Sequence, residues 1–171
     1  KPMTAIGKNF GSDNKPIIMT EFCTMESAMH EQDMLGLAHI MQVGFTGGKL
    51  NGYIAWELFW GEQNGQLIGV CPGEGWSSCT EAKLYINPEY HAMRHYSKFV
   101  NPGWRVVNTT SDANNLYTVA FRSADCDSIS VIAINKGSAQ SLNISVNGYT
   151  PPYSVQSVES GEKSKTITAG A

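Results

Sequence analysis

Short apolar runs alternate with a helical period in the first hundred residues of the chain. Residues 17–22 form an apolar run that ends on a carboxylate, and such a run is typical of a strand buried on both faces, as in a parallel sheet. Residues 27–43 predict a helix that begins at Ser27, and Gly47-Gly48 ends the pattern. The apolar face of that helix consists of Met34, Leu37, Ala38, Met41 and Phe45. Residues 50–57 predict a second strand.

A long connection follows this second strand. About twenty-five residues show no clear period, which is longer than most connections and therefore predicts a functional loop. Asn87 and Pro88 then predict an N-cap and the first turn of a helix that continues to Phe99. The order strand, helix, strand, loop, helix amounts to two consecutive β/α units.

The pattern changes after Pro102-Gly103, where only short strand-like runs and turn clusters remain. The predicted strands are residues 104–107, 116–122, 129–135, 142–146, 153–158 and 165–168. Six short strands without a helix favour an antiparallel sandwich. The sequence therefore predicts two domains, residues 1–101 of α/β type and residues 102–171 of all-β type.

Composition narrows the class of protein. Charged residues make up 16% of the chain, below the roughly 25% of an average soluble domain, while apolar residues reach 42%. No run of eighteen apolar residues occurs, so we expect no membrane-spanning helix. The net charge of -3 without a basic run argues against a nucleic-acid partner. Polarity carried by amides, hydroxyls and glycine is common in secreted carbohydrate-active proteins, so we expect an extracellular protein.

The four cysteines are Cys23, Cys71, Cys79 and Cys126, which allow three pairings if all are oxidised. Cys71 and Cys79 bracket a loop-like run, and a disulfide between them would stabilise the fold by roughly 2–3 kcal/mol. Reduced thiols in a flexible loop are equally compatible with this spacing. Asn108 and Asn143 begin glycosylation sequons, which also occur often by chance.

A zinc site is the obvious metal hypothesis for this sequence. Cys71, Cys79, His91 and His95 are candidate ligands, with the two histidines one helical turn apart. Zinc fingers hold their cysteines two to four residues apart, and this spacing is wider. No nucleotide-binding, serine-hydrolase or zinc-protease motif occurs either. We therefore expect neither a metal nor a cofactor.

Two glutamates follow the predicted parallel strands. Glu21 ends the first and Glu57 ends the second, and β/α-barrel enzymes place catalytic groups at the carboxyl ends of their strands. A surface carboxylate that pairs with lysine or caps a helix is the alternative for each.

Aromatic residues gather at the end of the second strand and in the long loop. They are Trp56, Phe59, Trp60 and Trp76. Exposed rings here would suit stacking on sugar rings, and ordinary burial of large side chains is the alternative.

Three sequence blocks resemble one enzyme family. They read Lys15-Pro-Ile-Ile-Met-Thr-Glu21, Gly52-Tyr-Ile-Ala-Trp-Glu-Leu-Phe-Trp60 and His95-Tyr-Ser-Lys-Phe-Val-Asn-Pro-Gly103. In this order they resemble the carboxyl-terminal part of glycoside hydrolase family 30, most closely its xylanase branch. The third block is the most specific, because a similar run links the last barrel helix of that family to a side β-domain.

The resemblance implies the last two β/α units of a (β/α)8 TIM barrel followed by a side β-sandwich, both incomplete in this chain. Residues 15–22 and 50–57 would be the seventh and eighth barrel strands. The family's Met-Thr-Glu block implies that Glu21 is the catalytic nucleophile. Trp56, Glu57, Phe59 and Trp60 would then contact the substrate.

The acid/base residue of this family is a glutamate that follows an asparagine on the fourth strand. No Asn-Glu dipeptide occurs in the sequence. We therefore expect the isolated chain to be inactive or nearly so. A second chain, or an amino-terminal segment, would supply the acid/base.

The expected function is retaining hydrolysis of plant xylan, as an endo-β-1,4-xylanase. Glucuronoxylan-specific relatives carry an arginine just after the eighth strand, where this chain has Phe59 and Trp60. We therefore expect no strict dependence on glucuronate branches. The alternatives are a β-glucanase or glucosylceramidase-like hydrolase of the same family, and a non-catalytic carbohydrate-binding module.

Overall fold

The computed structural model describes residues 2–22, 31–60, 66–71 and 82–148. Two compact units divide the chain, Lys1–Gly137 and Ser138–Ala171. Residues 138–148 of the second unit are described, and they contain neither a helix nor a strand. The predicted domain boundary between residues 101 and 102 falls within the first unit and stays a prediction.

Three helices occur in the described residues: α1 (Pro2–Phe10), α2 (Glu31–Thr46) and α3 (Pro88–Ser97). The predicted face of α2 is confirmed, because Leu37, Ala38 and Met41 are buried. The predicted cap at Ser27 lies outside the described residues. Helix α1 was not predicted.

Asn87 occupies the N-cap position of α3, yet its side chain makes no capping hydrogen bond. Its amide Nδ2 instead donates to the carbonyl oxygen of Gln66 at 2.8 Å. The prediction of the helix start is therefore confirmed by Pro88 in the first turn, and the prediction of a side-chain cap is wrong. The hydrogen bond to Gln66 fixes the NH2 end of the Asn87 amide, so the side chain is oriented toward Gln66 instead of capping the helix.

The predicted parallel strands pair with each other. Strands β1 (Ile18–Met19) and β2 (Gly52–Tyr53) form a parallel ladder with Ile18 opposite Gly52. Both strands are shorter than predicted. The backbone pairing nevertheless continues past β2, because Ile54 N donates to Met19 O at 2.8 Å.

The predicted long loop contains regular structure. Strands β3 (Phe59–Trp60), β4 (Ile68–Cys71) and β5 (Lys83–Ile86) form one three-stranded sheet. Strand β3 is parallel to β4, and β4 is antiparallel to β5. The prediction of a loop here is wrong, because β4 and β5 have four residues each and are too short to show a clear period.

The third sheet contains β6 (Arg105–Val107), β7 (Leu116–Arg122) and β8 (Ile129–Asn135), which pair antiparallel in that order. The bounds of β7 and β8 agree with the predicted ones. Residues 142–146 are not a strand, since no described strand pairs with them and Leu142 and Ile144 are exposed. The predicted strands at 153–158 and 165–168 lie outside the described residues, so the six-stranded sandwich stays a prediction.

One hydrophobic core joins two helices to this sheet. Its buried members are Leu37, Ala38, Met41, Ala92, Tyr96, Val119, Phe121, Ile132 and Ile134. The ring of Phe45 meets that of Phe121 edge-on, with centroids 5.3 Å apart. Helices α2 and α3 therefore share their core with β7 and β8.

Candidate functional site

Parallel pairing brings the two glutamate-bearing strand ends to the same edge. At the start of the strands, Asn51 N donates to Ile17 O at 2.7 Å, and Asn51 Oδ1 accepts from Ile17 N at 2.8 Å. At the other end, Trp56 N donates to Phe22 O at 2.9 Å. Glu21 precedes Phe22 and Glu57 follows Trp56 in the sequence. Glu21 and Glu57 are therefore each the chain neighbour of a residue that takes part in this hydrogen bond.

Glu21 is exposed, and Glu57 is half-buried. The carbonyl oxygen of Glu57 accepts a hydrogen bond from Leu67 N at 2.8 Å, which holds the backbone of Glu57 in place. Within the described ranges no lysine or arginine pairs with Glu21. The alternative of a lysine-paired surface carboxylate therefore finds no support among these residues.

The aromatic side chains beside this edge are open to solvent. Trp56 is 49% exposed, Phe59 60% and Trp60 45%. These three rings are not buried, so the alternative of ordinary burial does not apply to them. Trp76, the fourth aromatic candidate, lies outside the described residues.

The sheet that follows presents an apolar face, which sequence reasoning missed. Its register aligns Phe59 with Ile68 and Ile68 with Ile86, while Val70 lies opposite Leu84. Because side chains alternate along a strand, these five residues share one face. Leu84 is 66% exposed.

Cys71 lies on the opposite face of this sheet from Val70. Its side chain is 1% exposed, and it is disulfide-bonded. The predicted partner Cys79 lies outside the described residues. A disulfide sulfur is not a thiolate, so Cys71 does not serve as the zinc ligand considered above.

Tyr53, at the end of β2, is a further candidate site residue, and the sequence analysis did not identify it. Its ring centroid lies 6.3 Å from that of Phe22. Its hydroxyl is buried and has no hydrogen-bond partner among the described residues. Burial raises the pKa of Tyr53 above its ordinary value, so the hydroxyl stays protonated and can donate.

A metal centre has no support in the described ranges, where no group of three or more His, Cys, Asp or Glu side chains could hold an ion. The Nδ1 atom of His95 lies 2.6 Å from the carbonyl oxygen of His91. Among the same residues, no helix has the length and apolar character needed to cross a bilayer.

Solved structures share this fold. A conserved exported protein from Bacteroides fragilis is 18% identical with a TM-score of 0.62, and the match covers 78% of this chain and 31% of that one. A family 30 subfamily 8 xylanase from Clostridium acetobutylicum is 23% identical with a TM-score of 0.58, covering 77% and 29%. A family 30 endoxylanase from Clostridium papyrosolvens is 20% identical with a TM-score of 0.57, covering 80% and 32%.

The chain has a fold like that of part of a glycoside hydrolase family 30 chain. It spans about 30% of the length of the structures it matches. No protein-family model and no curated protein matches the sequence. At these identities the likeness concerns the fold, and the complete barrel, the sandwich and the role of Glu21 stay predictions.

Proposed function

We propose that this chain is the carboxyl-terminal part of a secreted retaining glycoside hydrolase that cleaves xylan as an endo-β-1,4-xylanase. Glu21 attacks the anomeric carbon as the glycosidic C–O bond breaks and the leaving oxygen takes a proton from the second carboxyl group; water then displaces Glu21 from the glycosyl-enzyme and releases the sugar. The observation that carries the proposal is the Trp56–Phe22 backbone hydrogen bond of 2.9 Å. It brings the exposed Glu21 to the same edge as the exposed aromatic rings, in a fold like that of family 30 xylanases.

The rings of Trp56, Phe59 and Trp60 supply the sugar-binding side of this proposal. Each is about half exposed, so a pyranose ring can stack on the exposed apolar surface of these rings. Glu57 is half-buried next to Trp56 and would accept hydrogen bonds from sugar hydroxyls. None of these residues requires a metal or a cofactor for that role.

The second carboxyl group belongs to another segment. Retaining glycosidases need two carboxyl groups about 5–5.5 Å apart, one of which protonates the leaving oxygen. We assign that group to an amino-terminal barrel segment, on the same or a second chain. Without its proton transfer, hydrolysis loses roughly 10²–10⁴-fold, so the isolated 171-residue chain is inactive or nearly so.

Phe59 and Trp60 also shape the choice of xylan. These side chains are apolar, and they stand where glucuronoxylan-specific relatives carry an arginine. A glucuronate branch would gain no charge-assisted hydrogen bond from them. The assembled enzyme therefore cleaves unbranched xylan and glucuronoxylan at comparable rates.

The test uses the assembled enzyme and a 2-deoxy-2-fluoro-xylobioside with a good leaving group, which traps the glycosyl-enzyme. Mass spectrometry should place the added disaccharide on the peptide that contains Glu21. Glu21→Gln should abolish both labelling and hydrolysis, whereas the control Glu57→Gln should keep the label. Labelling of a different carboxylate would refute the assignment of Glu21.

A non-catalytic carbohydrate-binding module is the second candidate, and the exposed aromatic rings favour it as well. One measurement, hydrolysis by the assembled protein, distinguishes the two functions. If the assembled protein binds xylan but hydrolyses neither xylan, β-1,6-glucan nor glucosylceramide, the binding module is correct. Hydrolysis of one of the other two glycans would instead identify a different specificity of the same family.

A further inference from the structure

The two aromatic residues of strand β3 lie on opposite faces of its sheet. Side chains alternate along a strand, so Phe59 belongs to the apolar face that it shares with Ile68 and Ile86, whereas Trp60 lies on the other face. One glycan chain cannot lie on both faces of a sheet at once. The side chains that act together with Trp60 are therefore those of its own face.

The register of the sheet gives Trp60 an aromatic companion on that face. Trp60 of β3 is opposite Gly69 of β4, and Gly69 is opposite Tyr85 of β5. The three residues form one row across the sheet, with a glycine between two aromatic residues. Neighbouring strands are about 4.8 Å apart, so the Cα atoms of Trp60 and Tyr85 are about 10 Å apart. No side chain rises between the two rings, because the middle position of the row is glycine.

Both aromatic residues of this row reach the surface, and a cation lies beside one of them. Trp60 is 45% exposed, and Tyr85 is half-buried. Lys83, two residues before Tyr85 on the same face, is exposed. Its ammonium nitrogen lies 4.7 Å from the centroid of the Tyr85 ring and carries three N–H donors. The row therefore combines two apolar ring surfaces with hydrogen-bond donors.

This combination of groups fits an extended carbohydrate chain. Pyranose rings have apolar C–H faces that stack on aromatic rings, and their hydroxyl oxygens accept hydrogen bonds from an ammonium group. In an extended β-1,4-linked chain, alternate sugars are separated by about the same distance as the two aromatic positions of the row. The first and third of three successive sugars can therefore stack on Trp60 and Tyr85 at the same time.

The row is continuous with the edge that carries Trp56 and Glu57. Leu67 N donates to Glu57 O and Ile68 N donates to Leu58 O, both at 2.8 Å. The pairing of β4 with the chain thus begins at Glu57, three residues before Trp60. A glycan chain that lies along this edge can extend onto the row without leaving the protein surface.

We propose that Trp60, Gly69, Tyr85 and Lys83 form a glycan-binding platform that holds an extended β-1,4-linked pyranose chain next to the candidate active site. That the chain is xylan rests on the proposed function. The platform, its separation from Phe59 and the binding roles of Tyr85 and Lys83 are new. Three successive sugars are the shortest ligand that occupies both rings.

A structural role for the two rings is the alternative. Aromatic side chains next to a glycine in a sheet can cover its backbone and stabilise the strands without binding a ligand, and Gly69 is buried. Covering requires apolar bulk, whereas stacking on a sugar requires an aromatic face. Tyr85→Leu keeps apolar bulk and removes the aromatic face, and Tyr85→Phe keeps both, so these two variants separate the roles.

The test measures the affinity of the 171-residue chain for xylohexaose, cellohexaose and xylobiose by calorimetric titration. Two hexasaccharides are used because the platform recognises the pyranose face, and dependence on Tyr85 with either one supports it. Tyr85→Leu should weaken hexasaccharide binding roughly fivefold, because one stacked sugar is lost, while Tyr85→Phe stays within about twofold of wild type. Xylobiose cannot reach both rings, so Tyr85→Leu should change its affinity by no more than about twofold.

The matched control is Leu84→Ala, which shortens a side chain on the opposite face of the same strand. Leu84 is 66% exposed, so the variant should fold and bind the hexasaccharides within about twofold of wild type. Circular dichroism and the melting temperature verify that each variant is folded. The proposal is overturned if wild type binds neither hexasaccharide, if Tyr85→Leu binds like wild type, or if Tyr85→Phe or Leu84→Ala loses as much affinity as Tyr85→Leu. Equal losses for xylobiose and the hexasaccharides would also overturn it.

Binding is measured without turnover and is therefore independent of catalysis by Glu21. If Tyr85→Leu weakens hexasaccharide binding as expected and the assembled enzyme hydrolyses no glycan, only the proposed function fails. If the fluoro-xylobioside labels Glu21 and Tyr85→Leu binds hexasaccharides like wild type, only the platform is wrong.

Discussion

The hydroxyl of Tyr96 on α3 donates a hydrogen bond of 2.9 Å to the carbonyl oxygen of Ala38 on α2. Tyr96 is 4% exposed, so this bond lies inside the core that the two helices share with β7 and β8. It fixes the register of the two helices with one polar contact among apolar ones. The same core contains the aromatic ring of Phe45, whose centroid is 5.8 Å from that of Tyr96.

Tyr96→Phe removes this hydrogen bond and keeps the ring. We expect it to lower the free energy of unfolding by about 1 kcal/mol, measured by urea denaturation. Tyr53→Phe is the matched control, because the Tyr53 hydroxyl has no partner among the described residues. It should leave stability unchanged or slightly higher, and equal losses in both variants would contradict this account.

Two glycines make a second matched pair. A Cβ atom on Gly7 of α1 would collide with the backbone carbonyl oxygen of Gly47, whereas one on Gly36 of α2 would meet nothing within 4 Å. Gly7→Ala should lower the free energy of unfolding by about 1–3 kcal/mol because backbone has to move. Gly36→Ala should raise it by up to about 1 kcal/mol through helix propensity. Thermal denaturation of both variants checks the opposite signs.

The stability of the chain should fall on mild acidification because of His39. The pKa of His39 is lowered below its ordinary value, mainly by burial and secondly by the positive charge of Lys136. The unfolded chain then binds the proton more readily, at a pKa of about 6.5, so protonation favours unfolding. Stability should rise with pH through the range just below 6.5 and level off above it.

His39→Gln should flatten this dependence, and Lys136→Ala should weaken it, as measured by melting temperature between about pH 5 and 8. The ring of His39 stacks on Tyr117 with centroids 3.9 Å apart, so the variant also loses this stacking contact, and the slope with pH is compared rather than the absolute melting temperature. An unchanged pH slope in His39→Gln would contradict the assignment.

The exposed aromatic rings should bind xylan even without catalysis. Trp60→Ala should weaken binding roughly fivefold, equivalent to about 1 kcal/mol, in affinity electrophoresis with soluble xylan. Leu84→Ala is the control, since Leu84 is exposed to a similar or greater degree without an aromatic face. Equal effects of the two substitutions would indicate adhesion to any apolar surface.

Much of the helical and antiparallel structure could be predicted because local pattern and tertiary contacts agree. Strands β7 and β8 are seven residues long, five residues in each are apolar, and both end at a polar residue. The parallel pair was predicted from apolar runs, although only a small part of each run forms the repeating ladder.

The remaining features depend on contacts that a sequence pattern does not contain. Strands β4 and β5 have four residues each, so pairing and the burial of Cys71 define them rather than any period. Helix α1 has only nine residues and buries none of them, so no core packing supports its short pattern. Trp60 and Tyr85 are far apart in sequence, and only the pairing of β3, β4 and β5 brings them to one face.

The distance along the chain between paired segments has a consequence for the order in which they form during folding. The turn between β7 and β8 is closed by Ser123 N donating to Ser128 O at 3.0 Å, so that pairing can form from neighbouring residues. Ile17 and Asn51 are 34 residues apart, and pairing across so long a loop costs more chain entropy. During folding the antiparallel hairpin should therefore form first, and the edge that carries Glu21 should be among the last parts of the molecule to assemble.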